Sequence, residues 1–255
     1  VALTATSTSN ITALVGAAAA AGGGGAGGGA AGAIGVSLAR NLIGYTEYGS
    51  SAPLQNEVLA YVSGSSLTAK TGDITINAKA TERVATDAFA GSVAIAGGAI
   101  AGSAAGAGVE VTNQLATKIV AYADASNLTA TLGNIEIQAV SDSQITKAHA
   151  TGVAVALSLA PSGFAISIAA SIVENVINNT VSAYIKGNDS EQITAGGNVS
   201  IIANAEHAKI SDTSALTASV SGGLVGAAGG GVNISSIIDN TINASLNGPL
   251  IVTAT

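Results

Sequence analysis

The sequence predicts an all-β repeat protein, a β-solenoid in which short strands stack coil upon coil, and three observations carry that prediction. A first block returns at intervals of about 60 residues, as Ala60-Tyr61, Ala121-Tyr122, Ala183-Tyr184 and Ala244-Ser245. A second block reads Gly72-Asp73-Ile74-Thr75-Ile76-Asn77-Ala78, then Gly133-Asn134-Ile135-Glu136-Ile137-Gln138-Ala139, then Gly197-Asn198-Val199-Ser200-Ile201-Ile202-Ala203, and finally Gly248-Pro249-Leu250-Ile251-Val252-Thr253-Ala254. In each copy Gly beside Asp, Asn or Pro reverses the chain. β-Branched residues then alternate with polar ones at a period of two, which is a turn followed by a strand with one buried face. The third observation is composition: 48% hydrophobic residues but only 3% aromatic and 9% charged, with 33 glycines. A core of Ala, Val, Ile and Gly is thin and flat, and suits closely stacked sheets better than a globule built on large side chains.

The chain divides into one array of four imperfect units, about 1–80, 81–140, 141–205 and 206–255. A unit so short of large side chains buries too little area alone, whereas stacking equivalent strands buries both ends of every coil and pairs its backbone groups. Equivalent residues then form ladders. Tyr61, Tyr122 and Tyr184 line up along one edge, either as a structural stack that locks register or as an exposed aromatic strip for ligands. Stacked β-hairpins or a sandwich is the rival architecture, because Pro161-Ser162-Gly163 between two alternating runs is also a hairpin signal.

Taken in order, Val1 to Thr6 has the same phase as Leu250 to Thr255, so the chain reads as an internal segment of a longer one. Ile11 to Ala39 is nearly all apolar and long enough for a membrane span. Its clustered glycines each penalise a helix by about 1 kcal/mol, and no basic flank sets an orientation, so strands rather than a span are expected. Its counterparts are Gly91 to Val111 and Gly152 to Val173, whose glycines let backbones approach closely. A polar corner follows each apolar arm: Asn113 to Lys118, Asn175 to Thr180 and Ser235 to Thr241. The first unit carries an insertion, Gly44 to Gln55, and surface insertions bearing aromatic residues make binding loops, so Tyr45, Glu47 and Tyr48 are the candidate ligand-contact residues. The fourth unit reaches its glycine early and is expected to lack the strand found around Leu67, Leu128 and Ile193.

Signals for chemistry are weak throughout. A net charge of -7 and eight scattered Lys and Arg argue against nucleic acid. The absence of Cys excludes disulfide staples and thiolate metal sites. His149 aligns with Phe89, Leu216 and Ile11, a bulky structural position, and His207 lacks a Ser or Asp partner at a recognisable spacing. The glycine runs are not followed by the Lys-Ser or Lys-Thr of a phosphate loop. Asp189, Glu191 and Asp239 do not repeat in register as calcium-binding coils would require. Lys70, Lys79, Lys118 and Lys147 form no cluster with acids by repeat position, as a polysaccharide lyase on such a scaffold would need. The sequence therefore predicts no catalytic residue, no cofactor and no metal.

The unit as a whole is an Ala/Gly-rich strand pair, an Asn-containing corner, an Ala-Tyr strand and then Gly-x-Ile-x-Ile-x-Ala. It resembles the repeats of large bacterial filamentous adhesins and leukotoxin-type exoproteins, relatives of filamentous haemagglutinin, over the whole chain. The resemblance implies a right-handed parallel β-helix in a secreted, extracellular or cell-surface fibre that mediates attachment or aggregation without being an enzyme. Its implied partners are neighbouring repeats or subunits end to end, and host or microbial surface glycans or proteins, with no nucleic acid and no membrane span. The glycine density of the first unit and the cropped fourth unit depart from the pattern. Two other roles fit the architecture: a self-assembling extracellular filament subunit without specific adhesion, and an ice- or polysaccharide-binding β-solenoid.

Overall fold

The computed structural model describes residues 1–46, 53–188 and 191–255, and among them there are strands and turns but no helix. The strands form four successive coils. The first holds β1 (Ala2–Gly25), β2 (Gly29–Ile43), β3 (Asn56–Ser63) and β4 (Ser66–Ala69). The second holds β5 (Ile74–Gly98), β6 (Ile100–Leu115), β7 (Thr117–Asp124) and β8 (Asn127–Ala130), and the third β9 (Ile135–Ser158), β10 (Ser162–Ile177), β11 (Thr180–Lys186) and β12 (Glu191–Ala195). In the fourth the long leading strand is broken into β13 (Val199–Ala205), β14 (Lys209–Ile210) and β15 (Thr213–Gly222), followed by β16 (Val225–Ile238), β17 (Thr241–Asn247) and β18 (Leu250–Ala254). Equivalent strands stack into four sheets. Sheet A contains β1, β5, β9 and β13 to β15; sheet B β2, β6, β10 and β16; sheet C β3, β7, β11 and β17; sheet D β4, β8, β12 and β18.

Every pairing is parallel and close to residue-for-residue, with Ile74 beside Ile135, Ala121 beside Ala60 and Ala183, and Val173 beside Val111. This is a parallel β-solenoid, and the hairpin and sandwich alternatives fall. The turn before Ser162 joins β9 in sheet A to β10 in sheet B; the two strands face each other across a core as an arch and do not pair.

Two apolar cores lie side by side in each coil. The leading halves of the sheet A strands close with sheets C and D around a body whose interior is built from ladders of large residues: Ile74 and Ile135, Ile76 and Ile137, Val58, Ile119 and Val181, Leu128 and Ile193. The trailing halves of the same strands lie against sheet B as a two-layered blade filled mainly with Ala, among them Ala90, Ala94, Ala105, Ala107, Ala154 and Ala169. Small residues are needed there because the layers approach to backbone contact: a Cβ on Gly35 would lie 2.4 Å from the carbonyl oxygen of Gly91. The alternating large residues of the arm therefore point outward. Phe164, Ile166 and Ile168 are 53%, 44% and 59% exposed, while Ala165, Ser167 and Ala169 between them are buried.

Three sequence expectations are corrected. Leu250 to Ala254 is not a fourth copy of the Gly-x-Ile strand: it pairs with β12 in sheet D, with Val252 beside Ile193, so the fourth coil has the strand it was expected to lack. Val1 to Thr6 belongs instead to sheet A, Leu3 lying beside Ile76, and so differs in phase from the chain's other end. The coils accordingly run from sheet A to sheet D, with turns at 70–73, 131–134 and 196–198 between them.

Candidate functional site

The tyrosine ladder lies on the outer face of sheet C, because Ala60, Ala121 and Ala183 turn inward and their neighbours outward. Ring centroids are 4.9 Å apart from Tyr61 to Tyr122 and again from Tyr122 to Tyr184, with interplanar angles of 5° and 9°. That spacing is the separation of hydrogen-bonded strands. The stack is therefore set by the backbone, and each internal ring spends both faces on its neighbours. Burial, followed by the neighbouring Tyr61 and Asp124, pushes the Tyr122 hydroxyl above its ordinary pKa; for Tyr184 the causes are burial, Tyr122 and Asp124. Two cross-coil ion pairs flank the stack, Lys118 to Glu57 at 2.8 Å and Lys186 to Asp124 at 3.9 Å. The hydrogen bond to Glu57 is the main reason that the Lys118 ammonium holds its proton above the usual pKa.

The insertion is pinched at its base. Gly44 has a φ of +73°, and a Cβ there would lie 1.8 Å from the carbonyl oxygen of Ala116, so only glycine lets the chain leave the coil at this point. Gln55 closes the neck by donating its backbone N–H to the Gly44 carbonyl at 3.1 Å, and its side-chain amide to Thr180 Oγ1 at 3.0 Å. Tyr45 is half-buried, and burial together with the charge of Glu174 raises its pKa. Glu47 and Tyr48 lie outside the described residues. The named candidates therefore divide between two faces, Tyr45 answering to Glu174 of β10 and the ladder lying on sheet C.

A row of charges at the base of the blade was not anticipated. His149 lies between two carboxylates of adjoining coils, Nδ1 3.3 Å from Asp87 Oδ1 and Nε2 2.8 Å from Asp212 Oδ1, and Lys147 donates to Asp87 Oδ2 at 2.7 Å. Its register partners are Asp87 and Ser214; Phe89 and Leu216 instead lie beside Thr151. The expected alignment is off by two residues on both sides, and on the β5 side one of the two comes from a bulge after Ile145, where Val84 pairs with Ile145 but Ala85 with Lys147. His207, whose sequence offers no Ser or Asp partner at a recognisable spacing, has Nδ1 3.6 Å from Asp142 Oδ1 of the preceding coil. Burial pushes the Asp142 carboxyl up, but hydrogen bonds from Arg83 and Gln144 and the charges of Arg83 and His207 outweigh it and hold the group below the usual carboxylate range. Lys118 and Lys147 thus do meet acids of the preceding coil, on two different faces.

Between the cores runs a buried polar waist. Asn41 donates to Asn113 Oδ1 at 2.8 Å, Asn113 to Asn175 Oδ1 at 2.9 Å, and Thr86 to Asn113 Oδ1 at 2.8 Å. Beside it Glu82, 3% exposed, accepts hydrogen bonds from the hydroxyls of Thr117 and Ser143.

No family model, curated protein or solved structure matches this chain. What the geometry can do chemically must therefore be read from the groups themselves. Neither histidine is hydrogen-bonded to a hydroxyl among the described residues, and each faces carboxylates of neighbouring coils instead. Lys118 with Glu57 and Lys147 with Asp87 join opposite charges of neighbouring coils, which a parallel stack needs because like charges in register would repel at strand spacing. No group of three or more His, Cys, Asp or Glu side chains among the described residues is arranged to hold a metal.

Proposed function

We propose that this chain is a structural repeat segment of an extracellular fibre of the filamentous-adhesin kind, non-enzymatic, whose coils serve as spacer and whose surface serves attachment. The observation that supports the reading is the open stack. All four sheets run continuously through the four coils, and the strands of the first and last coils each pair on one side only. Unpaired strand edges accept whatever complementary edge is offered, further repeats or the next subunit. The Tyr ladder favours a spacer over a sugar platform, because carbohydrate stacks on exposed ring faces and here the middle ring has both faces covered by rings and the two end rings, Tyr61 and Tyr184, one each. Attachment then falls to the loop that starts at Gly44.

Sedimentation over a range of concentrations tests the fibre reading. The isolated segment should grow into a concentration-dependent linear series, visible by electron microscopy as threads lengthening along the coil axis. A species that never elongates at high concentration removes the reading.

A further inference from the structure

The outer face of sheet B is an apolar surface with a relief of large and small residues. At the level of Gly106, the first coil presents Ile34, the second Gly106, the third Ile168 and the fourth Gly229. One level toward the tip the order is Gly32, Ala104, Ile166 and Ala227, and one level toward the base Val36, Gly108, Ala170 and Gly231. The third coil stands as a ridge from Phe164 to Ile168 and the first at Ile34 and Val36, while the second coil is a furrow from Gly102 to Gly108 and the fourth from Ala227 to Gly231. The furrow of the second coil, between Ile34 on one side and Ile166 and Ile168 on the other, is an open trough of about 590 Å³. Ile34 on its rim is 76% exposed. The trough runs on toward the tip beside Phe164 and toward the base beside Val36, where it ends at Glu110 and its ion pair with Arg40.

The geometry points to a second copy of this chain as the occupant, face to face across a two-fold axis parallel to the strands. That operation keeps strand direction and reverses coil order, so the third coil of one copy meets the second of the other, and the first meets the fourth. From Phe164 to Val36 each large residue of the first and third coils then faces a small one at its own level, and only toward the base do Leu38 and Ile172 face polar residues, Asn233 and Glu110. Ile168 meets Gly106, Ile166 meets Ala104 and Phe164 meets Gly102; Ile34 meets Gly229 and Val36 meets Gly231. On the other outer face of the blade, in sheet A, the four coils present Gly16, Phe89, Thr151 and Leu216, then Ala18, Gly91, Val153 and Ala218, then Ala20, Val93, Val155 and Val220. Four strands about 4.8 Å apart and roughly nine residues long give a sheet face of about 570 Å² per copy. Before counting its corrugation, that approaches the lower bound of about 1,200 Å² in total for a specific interface. The pairing is lateral and does not depend on growth along the coil axis.

The test is Gly106→Ile, which fills the furrow with an apolar side chain. The site is open, the nearest atom to a Cβ there being Ile34 Cγ1 at 3.8 Å, so circular dichroism and melting should be unchanged. By sedimentation equilibrium, at concentrations below those at which the series elongates, the parent chain should form a pair of twice its 24.2 kDa mass. Gly106→Ile should weaken that pair at least tenfold, and the double variant Gly106→Ile with Ile168→Ala, which exchanges ridge and furrow at one level, should restore it. Elongation along the coil axis, where it occurs, should be equal in all three. A parent chain that shows no lateral pair overturns the proposal, as does a Gly106→Ile variant that pairs as well or better, the outcome of unspecific apolar adhesion. Flotation with phosphatidylcholine vesicles by parent and Gly106→Ile alike, with no pair in solution, assigns the face to lipid and overturns it too.

Discussion

The body and the blade are built from the same strands, yet they place their large side chains on opposite sides. In the body, Ile76 and Ile137 turn inward and are fully buried; farther along the same two strands, Ala94 and Ala156 turn inward, and Val93 and Val155 look out. Hydrophobic burial contributes about 25 cal/mol per Å² of apolar area removed from water, so the body draws its stability from its own interior. The blade interior gains mostly from closely packed small groups and backbone pairing, and leaves its largest apolar area unburied. One region is finished by its own fold; the other is shaped to be finished by something else.

The largest effect should come from cutting into the body. Ile137→Ala, at a fully buried position within sheet A, should cost about 2–5 kcal/mol, whereas Leu14→Ala, on the outer blade face and 84% exposed, should stay within about 0.5 kcal/mol; urea unfolding midpoints at one protein concentration compare them. Equal losses would show that the two regions share one core and erase the contrast.

The waist between them should come next. Asn113→Ala leaves Asn175 Oδ1 without its donor and leaves the Asn41 amide and Thr86 hydroxyl with only each other in a buried setting, and should lower stability by about 1–3 kcal/mol. Thermal melting followed by circular dichroism reads it, and a neutral result would mean that water replaces the ladder.

The smallest effect should be the acid response at the base of the blade. The folded pKa of Asp142 lies below its unfolded value, so its contribution is fully present above about pH 4 and is lost as pH falls through the folded pKa. Asp142→Asn removes that contribution, and the loss of stability on acidification below about pH 4 should become shallower than in the parent. An unchanged slope would show that Arg83 and His207 find other partners.

Much of the fold was legible because the body obeys the simple rule that large apolar residues go inside. Gly133-Asn134-Ile135 to Ala139 announced a half-buried strand, and its recurrence announced stacking. The assignment of Leu250 failed because a turn with Gly followed by apolar residues opens strands of sheet A and sheet D alike. All four sheet D strands end in Thr-Ala, as Leu67-Thr68-Ala69, Leu128-Thr129-Ala130, Ile193-Thr194-Ala195 and Val252-Thr253-Ala254, but Leu3-Thr4-Ala5 in sheet A carries the same triplet, so the ending does not tell the two sheets apart. In the blade the alternation was visible, but its inside could not be read from hydrophobicity, since the inner row is the smaller one. The tyrosine stack was legible from its period. The clamp around His149 was not, because its partners lie a whole coil away on either side and a single bulged residue shifts the count between them.

The continuity of the sheets also bears on how such a stack responds to being pulled. Tension along the coil axis acts across the strands, so it parts neighbouring coils by opening their hydrogen bonds row by row, beginning with an end coil that has a neighbour on one side only. A coil contributes about 4.8 Å of length while it is stacked. Once detached, its roughly 60 residues can pay out about 200 Å of extended chain, while the coils behind it keep their register. The molecule is thus a stiff rod at low load and an extensible tether at high load, and its quantum of yielding is one turn of the solenoid.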